Sequence, residues 1–128
     1  MVSTSTYQYT NPHPKKSKKM GDCTIRAISI ATGKSWLEVY DELASIGREL
    51  LAPQNDMTVI NYYMERIGTK IPVKVDGKRL TAYDLCQLRG SKTYIIRTAG
   101  HLACVKNKKL RDTWDSSHKS GYIVWQIN

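Results

Sequence analysis

The first half of the chain repeats apolar residues at the spacing of amphipathic helices. The first such stripe consists of Ile25, Ile28 and Ala31. It predicts a helix that begins at Cys23 and ends at Gly33, with Asp22 before it as the N-cap. Glycine is a common residue just beyond a helix C-terminus, which supports this end point. The stripe would be buried against the rest of the fold.

Two further helices are predicted after the first. The second opens at Ser35, where a serine followed three residues later by Glu38 forms a capping box. Its predicted apolar face consists of Leu37, Tyr40, Leu43 and Ala44. The third runs from about Asp56 to Ile67, with apolar residues at helical spacing, and stops at Gly68.

Beyond Gly68 the pattern changes to the alternation that is typical of strands. A short helix over Thr81–Leu88, opened by a second capping box, is the exception. The predicted strands are Lys70–Val75, Tyr94–Thr98, His101–Lys106, Leu110–Asp115 and Tyr122–Ile127. Helices first and short strands second predict an α+β domain, in which N-terminal helices pack on a small antiparallel sheet.

Residues 1–20 predict an extended basic arm in front of a single domain over residues 21–128. Pro12 and Pro14 prevent a helix in the arm, because each ring fixes its own φ and restricts the preceding residue. Four lysines follow, namely Lys15, Lys16, Lys18 and Lys19. At 128 residues the chain is long enough to bury a core without disulfides or a structural metal.

Composition indicates the cellular compartment of the protein and whether it needs a membrane, a cofactor or a metal. Three cysteines, an odd number with no pairing pattern, favour free thiols in a reducing compartment. No apolar run is long enough to span a membrane, and residues 1–10 lack the apolar segment of a secretory signal. No phosphate-binding glycine loop or metal-ligand cluster occurs. The sequence therefore predicts a cytoplasmic protein without membrane association, cofactor or metal.

The formal charge of +9 has two interpretations. A basic surface attracts nucleic acid or an acidic protein partner over long range. The simpler interpretation, which we favour, is a solvated surface that keeps the protein soluble. No zinc finger, helix-turn-helix or RNA-recognition motif occurs, and the tyrosines are not interleaved with arginines. Nucleic-acid binding therefore rests on charge alone and is not favoured.

Cys23 is the first candidate for chemistry because it stands at the predicted start of a helix. Unpaired backbone N–H groups and the positive end of the helix dipole favour thiolate over thiol there. The thiolate is the reactive species, so a nucleophilic cysteine belongs at such a position. For a lone cysteine, the alternative is a small buried residue at a helix start.

His101 and Asp112 are the second and third candidates. His101 opens an apolar strand, where backbone holds the residue on one side and a cleft can lie on the other, as a general base requires. Asp112 is on the next strand, one hairpin away, so its carboxylate could orient the imidazole. The alternatives are a structural surface histidine and an ordinary exposed carboxylate. The order of the three residues is more specific than any one of them.

This order resembles that of papain-like cysteine peptidases. The segments that carry the likeness are Gly21-Asp22-Cys23 with Arg26-Ala27, then Gly100-His101, then Asp112-Thr113-Trp114-Asp115. The resemblance implies that Cys23 is the nucleophile, His101 its base and Asp112 the residue that orients the base. The family commonly has an Asn-Ser-Trp tripeptide where this chain has Asp112-Thr113-Trp114. Trp114 would then shield the hydrogen bond between histidine and aspartate from water.

A closer likeness is to small, largely uncharacterised papain-fold proteins of bacteria and their phages, and it is carried by the segment from Asn11-Pro12 to Arg26-Ala27 and by Asp112-Thr113-Trp114-Asp115. It implies a fold and a site but no substrate. The Cys-Gly-Ser-Cys-Trp signature of the peptidases is absent, and so is the glutamine that usually precedes the cysteine in the oxyanion hole. Asn11 is the best substitute, because its amide could reach back to the site. With the backbone N–H of Cys23, it would supply two donors to a developing oxyanion.

Strand alternation decides between competing residues. Asp115 lies three residues after Asp112, so on one strand their side chains point to opposite faces and only one can face His101. The likeness to Asn-Ser-Trp favours Asp112. Cys104 lies three residues after His101, which predicts that it belongs to the core and that the two do not share a metal.

The remaining cysteine and histidines are predicted to be structural. Cys86 lies within a short apolar helix and is expected in the core. His13 and His118 lie in polar, turn-rich segments and are expected at the surface.

The expected function is that of a thiol-dependent hydrolase or acyl transferase, first of all a cysteine peptidase or isopeptidase. Deamidation or amide transfer would use the same residues. The expected partner is a protein or peptide substrate, and the basic surface would favour an acidic one. A second hypothesis is a non-catalytic, phage-type binding or inhibitor protein on the same fold. A third, nucleic-acid accessory protein is favoured only by charge.

Overall fold

The computed structural model of the protein describes residues 5–128, so the first four residues of the predicted arm lie outside the described part. Four helices occur in this range: α1 (Cys23–Thr32), α2 (Trp36–Leu50), α3 (Met57–Ile67) and α4 (Ala82–Cys86). Eight strands accompany them: β1 (Tyr7–Tyr9), β2 (Gly68–Ile71), β3 (Lys74–Val75), β4 (Lys78–Arg79), β5 (Thr93–Thr98), β6 (His101–Lys106), β7 (Lys109–Asp112) and β8 (Ile123–Ile127). The predicted α+β class is confirmed. Within the same range, no helix is both long enough and apolar enough to cross a bilayer.

Six strands form one mostly antiparallel sheet in the order β1-β7-β6-β5-β8-β2. β1 pairs with β7 in parallel, and every other neighbouring pair is antiparallel. β3 and β4 form a separate hairpin. β6 lies in the interior of the sheet with β5 and β7 on its two sides. His101, the first residue of β6, is paired with Thr98 of β5, so the backbone of His101 is fixed by the sheet.

Apolar side chains cover both faces of the sheet. On one face, α1, α2 and α3 enclose a core that includes Ile28, Leu43 and Trp125. On the other face, α4 covers a smaller cluster that includes Leu85 and Val124. α1 packs against both β6 and α2 and buries seven of its residues. The helix that begins at the candidate nucleophile is therefore fixed by the core.

The predicted helices are confirmed, with differences in detail. α2 opens on the Ser35–Glu38 capping box and α4 on the Thr81–Asp84 box. The predicted apolar face of α2 is partly wrong, because Leu37 and Tyr40 are exposed. The buried residues of this helix are Val39, Leu43, Ile46 and Gly47. The side of α2 that meets α1 and α3 is thus rotated relative to the stripe read from the sequence.

Two predicted strands differ in extent. Lys70–Val75 is not one strand, since β2 ends at Ile71 and a hairpin follows. The hairpin turns at Asp76-Gly77, where both residues have positive φ, as the tightest hairpin turn requires. Leu110–Asp115 is also shorter than predicted, because β7 ends at Asp112.

The predicted arm is packed against the domain over part of its length. Tyr7–Tyr9 forms β1, which adds an edge strand to β7. Asn11 and His13 are buried, and the His13 ring meets the edge of Trp36 with 4.9 Å between ring centroids. The surface position predicted for His13 is therefore wrong. The predicted boundary between the arm and the domain, at residue 20, therefore divides segments that pack together in the fold.

Candidate active site

Cys23 is the first residue of α1 and lies half-buried on the wall of a cleft. Asp22 occupies the N-cap position, but its side chain makes no capping hydrogen bond, contrary to the prediction. Its carboxylate instead binds Arg26 and accepts a hydrogen bond of 2.9 Å from the indole N–H of Trp36. Within residues 5–128 no side chain caps the first turn of α1, so the positive end of the helix stays open beside the thiol.

His101 and Asp112 meet across neighbouring strands. His101 begins β6 and Asp112 ends β7, so the hairpin between the strands brings both residues to the same end of the sheet. Nε2 of His101 lies 2.6 Å from Oδ2 of Asp112. Both side chains are buried, which strengthens a charged hydrogen bond of this length. The contact at Nε2 leaves Nδ1 as the ring nitrogen available to Cys23.

The second carboxylate oxygen of Asp112 is also bound. Oδ1 accepts a hydrogen bond of 2.7 Å from the backbone N–H of Thr113 and one of 3.2 Å from Nη2 of Arg26. Arg26 is buried and binds the carboxylate of Asp22 through its other terminal nitrogen. A continuous chain of contacts therefore links Trp36, through two aspartates and one arginine, to the imidazole. We call Asp22, Arg26 and Asp112 the carboxylate–arginine bridge.

Arg26 is part of the motif Gly21-Asp22-Cys23 with Arg26-Ala27, but the motif predicts no role for its side chain. The available signal was its spacing from Asp22, since residues four apart on a helix can form an ion pair. The contact between Arg26 and Asp112 could not be predicted from sequence spacing. It depends on how closely α1 approaches the end of β7, which only the packed fold determines.

The pKa values of Cys23 and His101 are shifted so that each residue stabilises the charged form of the other. Burial alone would raise the pKa of the Cys23 thiol. Interaction with the ring of His101, the backbone N–H of Leu102 and the charge of Arg26 act the other way, and the net shift lowers this pKa. Burial would lower the pKa of His101, but Asp112 and Cys23 raise it to about 9. These shifts favour a thiolate–imidazolium pair near neutral pH.

The cleft in front of this pair has a volume of about 280 Å³. Its walls come from the start of α1, from the first turns of α3 and from the adjoining ends of β5 and β6. Met57 and Ile60 give one wall an apolar character, and Arg97 adds a positive charge to another. A larger hollow of about 470 Å³ between α2 and α3 is lined by neither cysteine nor histidine. Of these two hollows, the cleft is the one lined by the candidate nucleophile and base.

Trp114 lies against His101, with 4.8 Å between their ring centroids. It comes after the end of β7, so its position depends on the path of the chain after Asp112. One side of the indole covers the imidazole, and 44% of the Trp114 surface remains exposed to solvent. Asp115, the competing carboxylate, hydrogen-bonds to Ser117, and Asp112 binds the histidine.

Asn11 does not line the cleft. Its amide nitrogen donates to the carbonyl oxygen of Ser17 at 3.0 Å, and its amide oxygen accepts from the N–H of His13 at 3.1 Å. Such an Asx turn is a common use of asparagine next to proline. The expected oxyanion role of Asn11 is therefore not supported, because both ends of its amide hold the arm in place.

The other cysteines belong to the core, as predicted. Cys104 is fully buried, and burial raises its pKa to about 12. Cys86 is the buried last residue of α4, and burial raises its pKa as well. His118 is exposed and stacks on Tyr83, with 5.3 Å between ring centroids. Among residues 5–128, no three side chains of histidine, cysteine, aspartate or glutamate form a group that could hold a metal ion.

Comparison with known proteins gives no match, since no family model fits the chain and no curated protein or solved structure is significantly similar to it.

Proposed function

We propose that this protein is a thiol-dependent hydrolase or acyl transferase with a papain-like fold. Cys23 is the nucleophile, His101 is the base and later the acid, and Asp112 orients the imidazole. The observation that carries the proposal is a helix-start thiol of lowered pKa, beside a carboxylate-bound imidazole of raised pKa, on the wall of a cleft. Nucleophilic catalysis requires this combination of geometry and charge.

Acylation follows from the charge state of the pair. The Cys23 thiolate attacks the carbonyl carbon of an amide, and a sulfur–carbon bond forms while the carbonyl oxygen takes up the negative charge. The open N-terminus of α1, with the N–H of Cys23, stabilises this oxyanion. His101 then gives its proton to the departing nitrogen, the carbon–nitrogen bond breaks, and an acyl-enzyme thioester remains with neutral imidazole.

Deacylation reverses the proton movements. A water molecule or an amine attacks the thioester, and neutral His101 takes its proton. Collapse of the second tetrahedral intermediate breaks the carbon–sulfur bond and regenerates the thiolate–imidazolium pair. Water gives hydrolysis and an amine gives acyl transfer. The same residues therefore serve a peptidase, an isopeptidase and an amidase, and peptide or isopeptide cleavage is the activity we propose.

The carboxylate–arginine bridge contributes to this chemistry by holding Asp112 in place on the side of the imidazole away from Cys23. Both oxygens of Asp112 are bound, so the carboxylate has one orientation. That orientation fixes which ring nitrogen faces the thiol. Trp114 covers the histidine from one side, where water would otherwise compete for the hydrogen bond.

The proposal is tested by treating the native protein with iodoacetamide at pH 7 and mapping the alkylated cysteine by mass spectrometry. Cys23 should react roughly tenfold faster than a free thiol, because a lowered pKa increases the thiolate fraction. His101→Ala should remove most of this advantage. His118→Ala is the matched control, because it removes an exposed histidine away from the cleft, and it should leave the rate unchanged.

Activity is tested with a mixture of peptides and hydroxylamine, which intercepts acyl-enzymes as hydroxamates. Cleavage products or hydroxamates should form with the native protein and be absent with Cys23→Ala. If Cys23 reacts no faster than a free thiol and His101→Ala has no effect, the thiol is not activated. The non-catalytic binding protein would then be the better hypothesis.

A further inference from the structure

Arg97 occupies the wall of the cleft that holds Cys23 and His101. It belongs to β5 and pairs across to Leu102 on β6, whose backbone interacts with the Cys23 thiol. Paired residues of antiparallel strands point to the same face, with Cβ atoms about 4.5–5.5 Å apart. The side chain of Arg97 therefore leaves the sheet beside Leu102, which lines the cleft together with Cys23.

No carboxylate within residues 5–128 forms an ion pair with Arg97. The ion pairs of that range join Arg26 to two aspartates, Lys34 to Glu42, and His101 to Asp112. No aspartate or glutamate lines the cleft. The charge of Arg97 is thus directed at a concave surface next to the reacting sulfur, without an anion from the protein to neutralise it.

We propose that Arg97 forms a subsite for a carboxylate of the substrate close to the amide that Cys23 attacks. This inference rests on the proposed function and specifies its substrate class, which is peptides or isopeptides with an anionic group near the cleaved bond. A guanidinium matches the two oxygens of a carboxylate, and it keeps its charge throughout the accessible pH range.

The rest of the cleft fits such a group. Met57 and Ile60 offer an apolar surface for the methylene part of an acidic side chain. The carboxylate can come from two sources, either an acidic side chain or a free C-terminus, and the guanidinium would bind both in the same way. The experiment separates these sources.

The test uses two pairs of thiol-reactive probes that differ within each pair only by a negative charge. The first pair is N-iodoacetyl-glutamate α-amide and N-iodoacetyl-glutamine amide, which present a side-chain carboxylate and its neutral analogue. The second is N-iodoacetyl-glycine and N-iodoacetyl-glycinamide, which present a free C-terminus and its neutral analogue. In each case the thiolate displaces iodide, and the rate at Cys23 is measured by mass spectrometry at pH 7.

The native protein should react about fivefold faster with the anionic member of at least one pair, which is the scale of a partly exposed ion pair. Arg97→Gln should abolish this preference while leaving the neutral rate in place, and the neutral rate also shows that the variant is folded. Arg97→Lys should retain part of the preference. Arg89→Gln is the matched control, because it removes the same charge from an exposed turn, and it should retain the full preference.

A preference in the first pair alone assigns the subsite to acidic side chains, and one in the second pair alone assigns it to a C-terminal carboxylate. Equal rates within both pairs, or a preference that survives Arg97→Gln, would overturn the inference. Failure of the proposed function has a different signature. In that case the neutral probes react at Cys23 no faster than with a free thiol, whatever the ratio within each pair.

Discussion

At the scale of single residues, Arg26 links the stability of the site to its reactivity. A buried guanidinium persists only when carboxylates neutralise it, and Asp22 and Asp112 do so here. The same positive charge helps to lower the pKa of Cys23. Arg26 does not line the cleft, so we regard it as a positioning residue that acts through Asp112 and the thiolate.

Substitution of Arg26 should change both properties. Arg26→Met leaves the buried carboxylate of Asp22 without a cation and removes one of the two charged partners of Asp112, so it should cost about 3–5 kcal/mol of unfolding free energy, measured by urea denaturation. Arg26→Lys keeps the charge with fewer hydrogen bonds and should cost less. In the lysine variant, the pH at which Cys23 alkylation is half-maximal should rise slightly. If stability falls and this pH stays constant, Arg26 is a structural residue only.

The charge of Asp112 should control the titration of His101. The pKa of His101 is raised to about 9, so the ring is protonated at neutral pH and loses its proton as the pH rises through that value. Asp112→Asn keeps a hydrogen-bond acceptor but removes the negative charge, and the midpoint should therefore fall. NMR titration of the His101 ring protons measures both midpoints. An unchanged midpoint in Asp112→Asn would show that the carboxylate does not hold the proton.

The same titration predicts how two reactions diverge at high pH. Amide cleavage needs imidazolium as the acid, so it should decline above about pH 9. Alkylation by iodoacetamide needs only the thiolate, so its rate should stay on a plateau there. Parallel declines of both reactions would point to unfolding and not to loss of the catalytic proton.

At the scale of elements, β1 is the least expected part of the site. It pairs in parallel with β7, and the backbone N–H of Thr10 donates to the carbonyl oxygen of Asp112 at 2.9 Å. The hydroxyl of Tyr7 donates to the same oxygen at 3.1 Å. The segment at the start of the chain thus fixes the backbone of the residue that orients His101.

Tyr7→Phe should lower the unfolding free energy by about 1 kcal/mol, because it removes one hydrogen bond to a part-buried carbonyl. Urea denaturation measures the loss. Tyr122→Phe is a suitable control, since it removes the hydroxyl of an exposed tyrosine. Equal stability of the two variants would show that the bond between Tyr7 and Asp112 contributes nothing.

Local signals in the sequence place Cys23 at a helix start and His101 at a strand start, whereas the choice of Asp112 over Asp115 came from the likeness to Asn-Ser-Trp. The start of α1 at Cys23 and its end at Gly33 follow from turn and cap preferences, and β6 was predicted with its observed bounds. Features that depend on contacts distant in sequence were missed. β1 has its partner at the other end of the chain, and the burial of His13 depends on Trp36. Local propensity contains no information about such pairs.

At the scale of the whole molecule, β8 connects the two parts of the sheet. It lies between β5 and β2, and β5 in turn holds β6, where His101 begins. Trp125 on β8 is buried in the core that also fixes α1. The positions of Cys23 and His101 therefore both depend on a strand to which neither residue belongs.

The insertion of β8 has a consequence for the order of events during synthesis. Until this strand leaves the ribosome, β5 lacks one of its two neighbours and β2 has no partner in the sheet, so the six-stranded sheet cannot be completed. The core that holds α1 against β6 also needs Trp125 of β8, and a thiol outside that packed arrangement has the modest nucleophilicity of an ordinary thiol. On the proposed function, the activated thiol should therefore form only after β8 has been translated and has joined the sheet.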